Sequence, residues 1–314
     1  MTRFLHDLPD AKQLFEVVAK EKEILPIIVE KDYWLMHCLW GLQQQNFKFE
    51  LKGGTSLSKG FNIIERFSED IDIQIYPDPQ LDIKIGRNHD RPTHIQQRSD
   101  FFNYITKKLN ISNMKFYRDH NFDDVQKMRS AGIRGEYDSF FSNVPSLKSG
   151  VILELGFDQT TPNMPCDISS WAFDKIMTLD IQIIDNRAKK VNCYNPEYTF
   201  VEKLQTISTK FRIQQKNHTM PINFLRHYYD IYQLLNQKRI LDFIGTNEYL
   251  DHKKKRFRTA DEMEIKNNEA FLLLDENTRK LYATEFEKKS AIYFGEQPKF
   301  LDILERIKKY IHKL

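Results

Sequence analysis

Two aspartates separated by one isoleucine, Asp70 and Asp72, give this chain its clearest chemistry. In an extended segment alternate side chains share a face. Ile71, Ile73 and Ile75 therefore turn to one side, and Asp70, Asp72 and Gln74 to the other. Two carboxylates so placed repel each other unless a positive charge stands between them. A hard divalent cation with oxygen ligands, Mg²⁺ with Mn²⁺ as its substitute, is the usual solution. Upstream, Gly53-Gly54 leads into Thr55 and Ser56. Glycines let backbone amides approach a phosphate, a following helix points its positive end at the same place, and the hydroxyls suit phosphate oxygens. Glu154 is the only charge in the apolar segment GVILELGF. It stands opposite the face shared by Val151, Leu153, Leu155 and Phe157, as a third carboxylate that serves as metal ligand or as base for an attacking hydroxyl.

The elements that must hold these groups follow from apolar periodicity. Helices are expected over 9–23 and 28–45, a short strand over 47–51, a helix or helical turn over 56–66 and a strand over 70–76. A polar loop with Arg87, His89 and Arg91 covers 77–92, and a helix covers 94–109. Short strands with a hairpin fill 114–141, and further strands cover 150–157 and 178–184. Lys31 and Asp32 read as a solvated helix end. Asn195-Pro196-Glu197 has the form of an N-cap, a proline at the first helical position and an early acid. Phe200, Val201, Leu204, Ile207 and Phe211 then make a helical stripe. Another helix covers 224–237, and the rest is mostly helical. The change of character sets a boundary near Asn192, between a mixed α/β part (1–192) and a helical part (193–314).

Composition excludes several classes. The 314 residues are 40% hydrophobic and 13% aromatic, enough for a real core in a globular protein. A net charge of +3 neither demands nor excludes nucleic acid. No apolar run approaches a membrane span, and the start MTRFLHDLPDAKQL lacks the apolar stretch of a signal peptide. Cys38, Cys166 and Cys193 lack metal-ligand spacing and read as reduced thiols of a cytoplasmic protein. GGTSLSKG lacks the Walker A spacing, which argues against a P-loop kinase or ATPase. His37, His120 and His227 are scattered and suggest no metal cluster. KKKRFR at 253–258 suits either an RNA backbone or a solvated charged helix.

GGTS…DID resembles the signature of the DNA polymerase β-like nucleotidyltransferase superfamily, with 13 residues between Ser56 and Asp70. The closer resemblance is to the AbiEii/AbiGii toxin family. It is carried by LKGGTSLSKGF…RFSEDIDI, EKDYWL, EKLQTI at 202–207 and RHYYDIYQL at 226–234, in that family's order. The resemblance spans about residues 30–235. It implies an α+β fold: a polymerase β-like core, a mixed sheet with flanking helices, then a helical half that completes an active-site cleft. It implies Asp70 and Asp72 as metal ligands, Thr55 and Ser56 on the nucleotide phosphates, Lys203 on the triphosphate, and Asp230 completing the site. Lys210 and Arg212 match the basic part of the second motif. Lys203 and Lys210, seven apart, share a helix side at the border of the apolar stripe, where lysines also simply snorkel. Arg226 and Asp230 have the spacing of a surface ion pair.

The implied activity is Mg²⁺-dependent transfer of a nucleoside monophosphate from an NTP to an acceptor hydroxyl, with the 3′ end of tRNA as the candidate acceptor. It would belong to a type IV-like toxin–antitoxin or phage-defence system with a cognate antitoxin. Two alternatives stand beside it: a catalytically weak nucleotide- or partner-binding protein, and a metal-dependent glycosyltransferase using the Asp-x-Asp pair.

Overall fold

The computed structural model describes residues 2–86, 88–145, 147–158, 160–179, 181–288 and 292–314. Arg87 of the polar loop and Asp180 of the strand expected at 178–184 lie outside the described residues. The chain divides into two compact units. The first comprises Met1–Gly60 and Phe67–Tyr194, the second Phe61–Arg66 and Asn195–Leu314.

In the first unit, helices α1 (Ala11–Lys22) and α2 (Pro26–Gln44) precede strand β1 (Phe49–Lys52). A helical turn α3 (Gly53–Thr55) runs on into a π-helical turn over Ser56–Gly60. Strand β2 (Asp70–Ile75), helix α4 (Pro92–Lys108), and strands β3 (Lys115–Arg118), β4 (Ser130–Glu136), β5 (Val151–Gly156) and β6 (Asn163–Ile168) follow. Helix α5 (Trp171–Ile176) and strand β7 (Ala188–Tyr194) complete it. The strands form one mixed sheet in the order β3-β4-β5-β2-β1-β7-β6. At its centre β2 runs parallel to β5 and antiparallel to β1. The apolar alternation decides which way β2 and β5 face. Ile71, Ile73, Val151 and Leu153 are fully buried on one side, each contributing roughly 1.5–3 kcal/mol.

Three expectations fail here. The helix read as running to Arg66 stops at Gly60, because Asn62 adopts a left-handed φ of 52° and 61–66 leaves for the second unit. No strand covers 178–184 among the described residues, apart from one bridge between Arg3 and Ile183. The paired strands are instead β6 and β7. Finally, Lys31 and Asp32 are not a solvated helix end. Glu30, Lys31 and Asp32 are all buried, each against a partner from a distant segment. Glu30 accepts from the Phe140 amide at 2.9 Å, Lys31 pairs with Glu69 at 3.3 Å, and Asp32 pairs with Lys59 at 2.5 Å and accepts from the Trp171 amide.

The second unit is helical: α6 (Pro196–Asn217), α7 (Arg226–Leu234), α8 (Lys238–Phe243), α9 (Asn247–Arg256), α10 (Glu269–Leu272), α11 (Glu276–Glu287) and α12 (Phe300–Tyr310). Helix α6 packs on α7, α8, α9 and α10, and α12 on α7, α10 and α11. Pro196 opens α6 at its first position, but Asn195 makes no capping bond and its side-chain oxygen is buried without a partner. Glu197 instead holds Arg239 through two bonds of 2.7 and 2.9 Å. Tyr228 and Tyr229 are fully buried in this unit's core. Of the basic run, Lys253 is buried rather than solvated, and Arg256 pairs with Glu202 at 3.2 Å. No helix among the described residues is long and apolar enough to cross a membrane.

Candidate active site

The polar face of the first unit's sheet is built by register. Asp72 of β2 lies directly beside Glu154 of β5 on one flank and Lys52 of β1 on the other. Asp70 precedes it by one pleat on the same face. Three carboxylates thus share one patch on two adjacent parallel strands. Asp70 is buried, Asp72 is half-buried, and the Glu154 side chain is 36% exposed, so the patch opens to solvent at Glu154.

The turn before β2 is fitted against this patch. Gly53 adopts φ +72°, and a Cβ there would lie 2.2 Å from Asp72 Oδ2. Only glycine permits both that backbone and that approach. Thr55 and Ser56 are fully buried. The Thr55 hydroxyl donates to the Asp70 carbonyl at 2.5 Å and the Ser56 hydroxyl to the Gly53 carbonyl at 3.0 Å. As folded, both hydroxyl protons bind main chain and lock the turn to the aspartate strand. Gly54 is buried beside them.

One lysine contacts the patch and a second lies beside it in register. Lys148 Nζ lies 2.6 Å from Asp70 Oδ2 and 3.9 Å from Glu154 Oε1, and Lys52 Nζ lies 3.6 Å from Asp158 Oδ2. The other Asp70 oxygen, Oδ1, is buried without a partner. Among the described residues no three Asp, Glu, His or Cys side chains converge as a ready-made metal cage. The donor set nevertheless fits a hard cation: oxygen ligands only, an orphaned buried carboxylate oxygen, and an ammonium already drawn to the patch. Asp70, Asp72 and Glu154 are the residues that would hold it.

The other residues singled out by sequence lie in the second unit. Asp230 is fully buried and takes a two-point contact from Arg66, Nε to Oδ1 at 2.7 Å and Nη2 to Oδ2 at 2.8 Å. Lys203 adds a third contact at 2.9 Å to Oδ2. Arg226, expected to pair with Asp230 along the helix, leaves that role to Arg66. Burial alone would raise the Asp230 pKa, but the two cations hold it well below the carboxylate range. Burial pushes Lys203 down, against the pull of Asp230. His227, 3.4 Å from Lys203 Nζ, is driven far below its usual value by burial and by the surrounding cations, so it is neutral. Lys210 donates to the Ile222 carbonyl at 2.9 Å, and Arg212 pairs with Asp261 at 2.7 Å.

Sequence reading gave no role to Arg66, Lys148 or Lys52. Arg66 stands within the RFSEDIDI motif, a signal that was present. Lys52 becomes visible once β1 is set in register with β2. Nothing in the sequence marks Lys148.

A comparison with curated proteins returns no match. Among solved structures, the chain is similar to an antigenic nucleotidyltransferase-like protein from Paracoccidioides brasiliensis, with 13% identity and a TM-score of 0.34 over 72% of this chain and 87% of that one. Residues 35–306 match the family described as nucleotidyl transferase AbiEii toxin, type IV TA system. With the match spanning most of the chain, and both the aspartate strand and the Lys203–Asp230 cluster inside it, this protein belongs to the AbiEii family of nucleotidyl transferase toxins of type IV toxin–antitoxin systems.

Proposed function

We propose that the protein transfers a nucleoside monophosphate from an NTP to an acceptor hydroxyl, with Mg²⁺ or Mn²⁺ held by Asp70, Asp72 and Glu154. The observation that carries this reading is the register of β2 and β5, which sets Asp72 beside Glu154 and one pleat from Asp70. When bound, the cation supplies charge neutralisation for the phosphates and the departing pyrophosphate. The acceptor oxygen forms a bond to the α-phosphorus, and the bond from that phosphorus to the oxygen bridging to the β-phosphate breaks. The hydroxyl proton passes to a carboxylate, for which Glu154 is the most open. The Gly53-Gly54 turn offers main-chain amides to the phosphates, with Thr55 and Ser56 holding the turn. The family resemblance gives Lys203 the triphosphate. Asp230 holds that lysine charged and pointed, and Lys210 and Arg212 have lesser parts. Family membership supports an antitoxin partner. The resemblance supports RNA as acceptor, the tRNA 3′ end first, and a role in phage defence.

The test is incubation with each labelled NTP and total RNA, followed by resolution of the labelled species. Labelling of one RNA class that Asp72→Ala abolishes supports the reading. Undiminished labelling by Asp72→Ala under Mg²⁺ would sink it. Label that appears only on protein would replace the acceptor but keep the chemistry.

A further inference from the structure

We propose that Lys148 is the resting counter-ion of the carboxylate patch: its ammonium holds the place that a divalent cation takes, and cation binding displaces it. This rests on the reading of Asp70, Asp72 and Glu154 as the cation site. The Lys148 ammonium contacts Asp70 at 2.6 Å and reaches Glu154 at 3.9 Å, so one positive charge spans carboxylates on two neighbouring strands. It leaves the site unfinished, because Asp70 Oδ1 stays buried with no partner. An ammonium carries one charge on a flexible stem, whereas a divalent ion brings two and gathers oxygens at about 2.0–2.1 Å for Mg²⁺. The same oxygens cannot serve both.

The backbone of Lys148 is fixed while its side chain is not. Its amide donates to Glu69 Oε2 at 2.8 Å, and its carbonyl accepts from the Lys31 ammonium. Lys31 is itself buried and paired with Glu69 at 3.3 Å, so the main chain at 148 is clamped from two sides. The side chain rests 4.6 Å from the Phe122 ring centroid and is 22% exposed. It also borders a cavity of about 810 Å³, lined in part by Lys31, Trp34 and Tyr137. The ammonium thus has room to leave Asp70 by rotation alone. This arrangement explains how carboxylates on two neighbouring strands are kept together before any cation arrives, and why Lys31 is buried so far from the sequence motif it serves.

The test is Mn²⁺ binding to the nucleotide-free protein, read by the electron paramagnetic resonance of free Mn²⁺. Removing the internal cation should let Lys148→Met bind Mn²⁺ at least tenfold more tightly than wild type, while Lys148→Arg keeps the weak binding. Equal affinity of Lys148→Met and wild type, with both binding, would overturn the role of Lys148 and leave the cation site standing. Binding by neither, or binding indifferent to Asp72→Asn, would overturn the cation site and the inference together. The wild-type protein gives a second readout that does not depend on the folding of Lys148→Met. The Cε resonance of Lys148, assigned by its loss in Lys148→Arg, should narrow as Mg²⁺ is added. An unchanged resonance at saturating Mg²⁺ overturns the displacement.

Discussion

The two units each bury a cluster of charge, and the clusters are of opposite kinds. On the first unit's sheet three carboxylates share a patch with Lys148 against Asp70 and Lys52 in register beside Asp72, one carboxylate oxygen is orphaned, and the edge is open at Glu154. In the second unit two cations close on one carboxylate, both of whose oxygens are bonded, with a neutral histidine beside them. The first cluster has negative charge to spare and fits a cation. The second sets two cations against one carboxylate, the surplus that the proposed function gives to the triphosphate. A buried charge that is fully paired contributes to structure, and one left partly paired points to a ligand. Asp70 and Asp230 are both buried aspartates in motifs, yet only Asp70 retains an unbonded oxygen.

Removing one carboxylate from each cluster separates them most sharply. Asp230→Ala strands Arg66 and Lys203 in the interior and should lower unfolding free energy by about 3–5 kcal/mol, measured by urea denaturation. Asp72→Asn relieves repulsion on the sheet and should leave the urea midpoint unchanged or raised. It should also lower nucleotidyl transfer by more than the roughly 10–100-fold that loss of even an outer partner of a metal costs. If Asp230→Ala is as stable as wild type, the second cluster is not the closed structure described.

Gly53→Ala strikes the turn rather than the charges. The left-handed backbone costs an alanine about 1–2 kcal/mol, and its Cβ must push Asp72 away. Transfer should fall with Asp72 displaced, while Gly245→Ala, also at positive φ (85°) but with open space around it, should lose only the backbone part. Equal transfer by the two variants would show that the close approach of Gly53 to Asp72 has no bearing on the chemistry.

The units should also differ little in one respect, acid sensitivity. His6 and His37 in the first unit are pushed down to about 4 by burial, and His227 in the second is held well below its usual value by burial and the surrounding cations. Each takes up a proton in the unfolded chain near pH 6.5 but in the folded one only at lower pH. Stability is therefore complete above 6.5 and is lost as pH falls from 6.5 towards 4. The slope is at most about 1.4 kcal/mol per pH unit for each histidine. His37→Gln should flatten that slope in a pH series of thermal melts, and an unaltered slope would remove His37 from the account.

Much of the first cluster was legible in the sequence, because period-two alternation fixes faces within a strand. Asp70, Asp72 and Glu154 could be aligned on polar faces before any pairing was known. Their neighbours Lys52 and Lys148 could not, since the one depends on the register of β1 with β2 and the other on a loop aimed by Lys31 and Glu69. The partnership of Arg66 with Asp230 spans 164 positions, so helical spacing suggested Arg226 instead. The burial of Lys31 and Asp32 was hidden for the same reason: polar residues look solvated until distant partners are placed. Strand β6 escaped because it lies at the sheet edge, is largely exposed and contains Pro165, which an edge position tolerates.

The smallest effects belong to the basic residues at the far part of α6, and they sharpen the contrast between the clusters. Arg212 is committed to Asp261, whose side chain is fully buried and also accepts from the Thr209 hydroxyl. Arg212→Ala should therefore cost about 1–3 kcal/mol of stability by leaving that carboxylate less satisfied, with little change in transfer. Lys210 donates to an exposed main-chain carbonyl, and Lys210→Ala should change stability by less than about 0.5 kcal/mol. If the positive surplus at Lys203 is what meets the triphosphate, Lys203→Ala should raise the NTP concentration needed for half-maximal transfer far more than Lys210→Ala does. A larger effect at Lys210 would move the phosphate contact two turns along the helix, away from Asp230, and leave the Arg66–Asp230–Lys203 cluster purely structural.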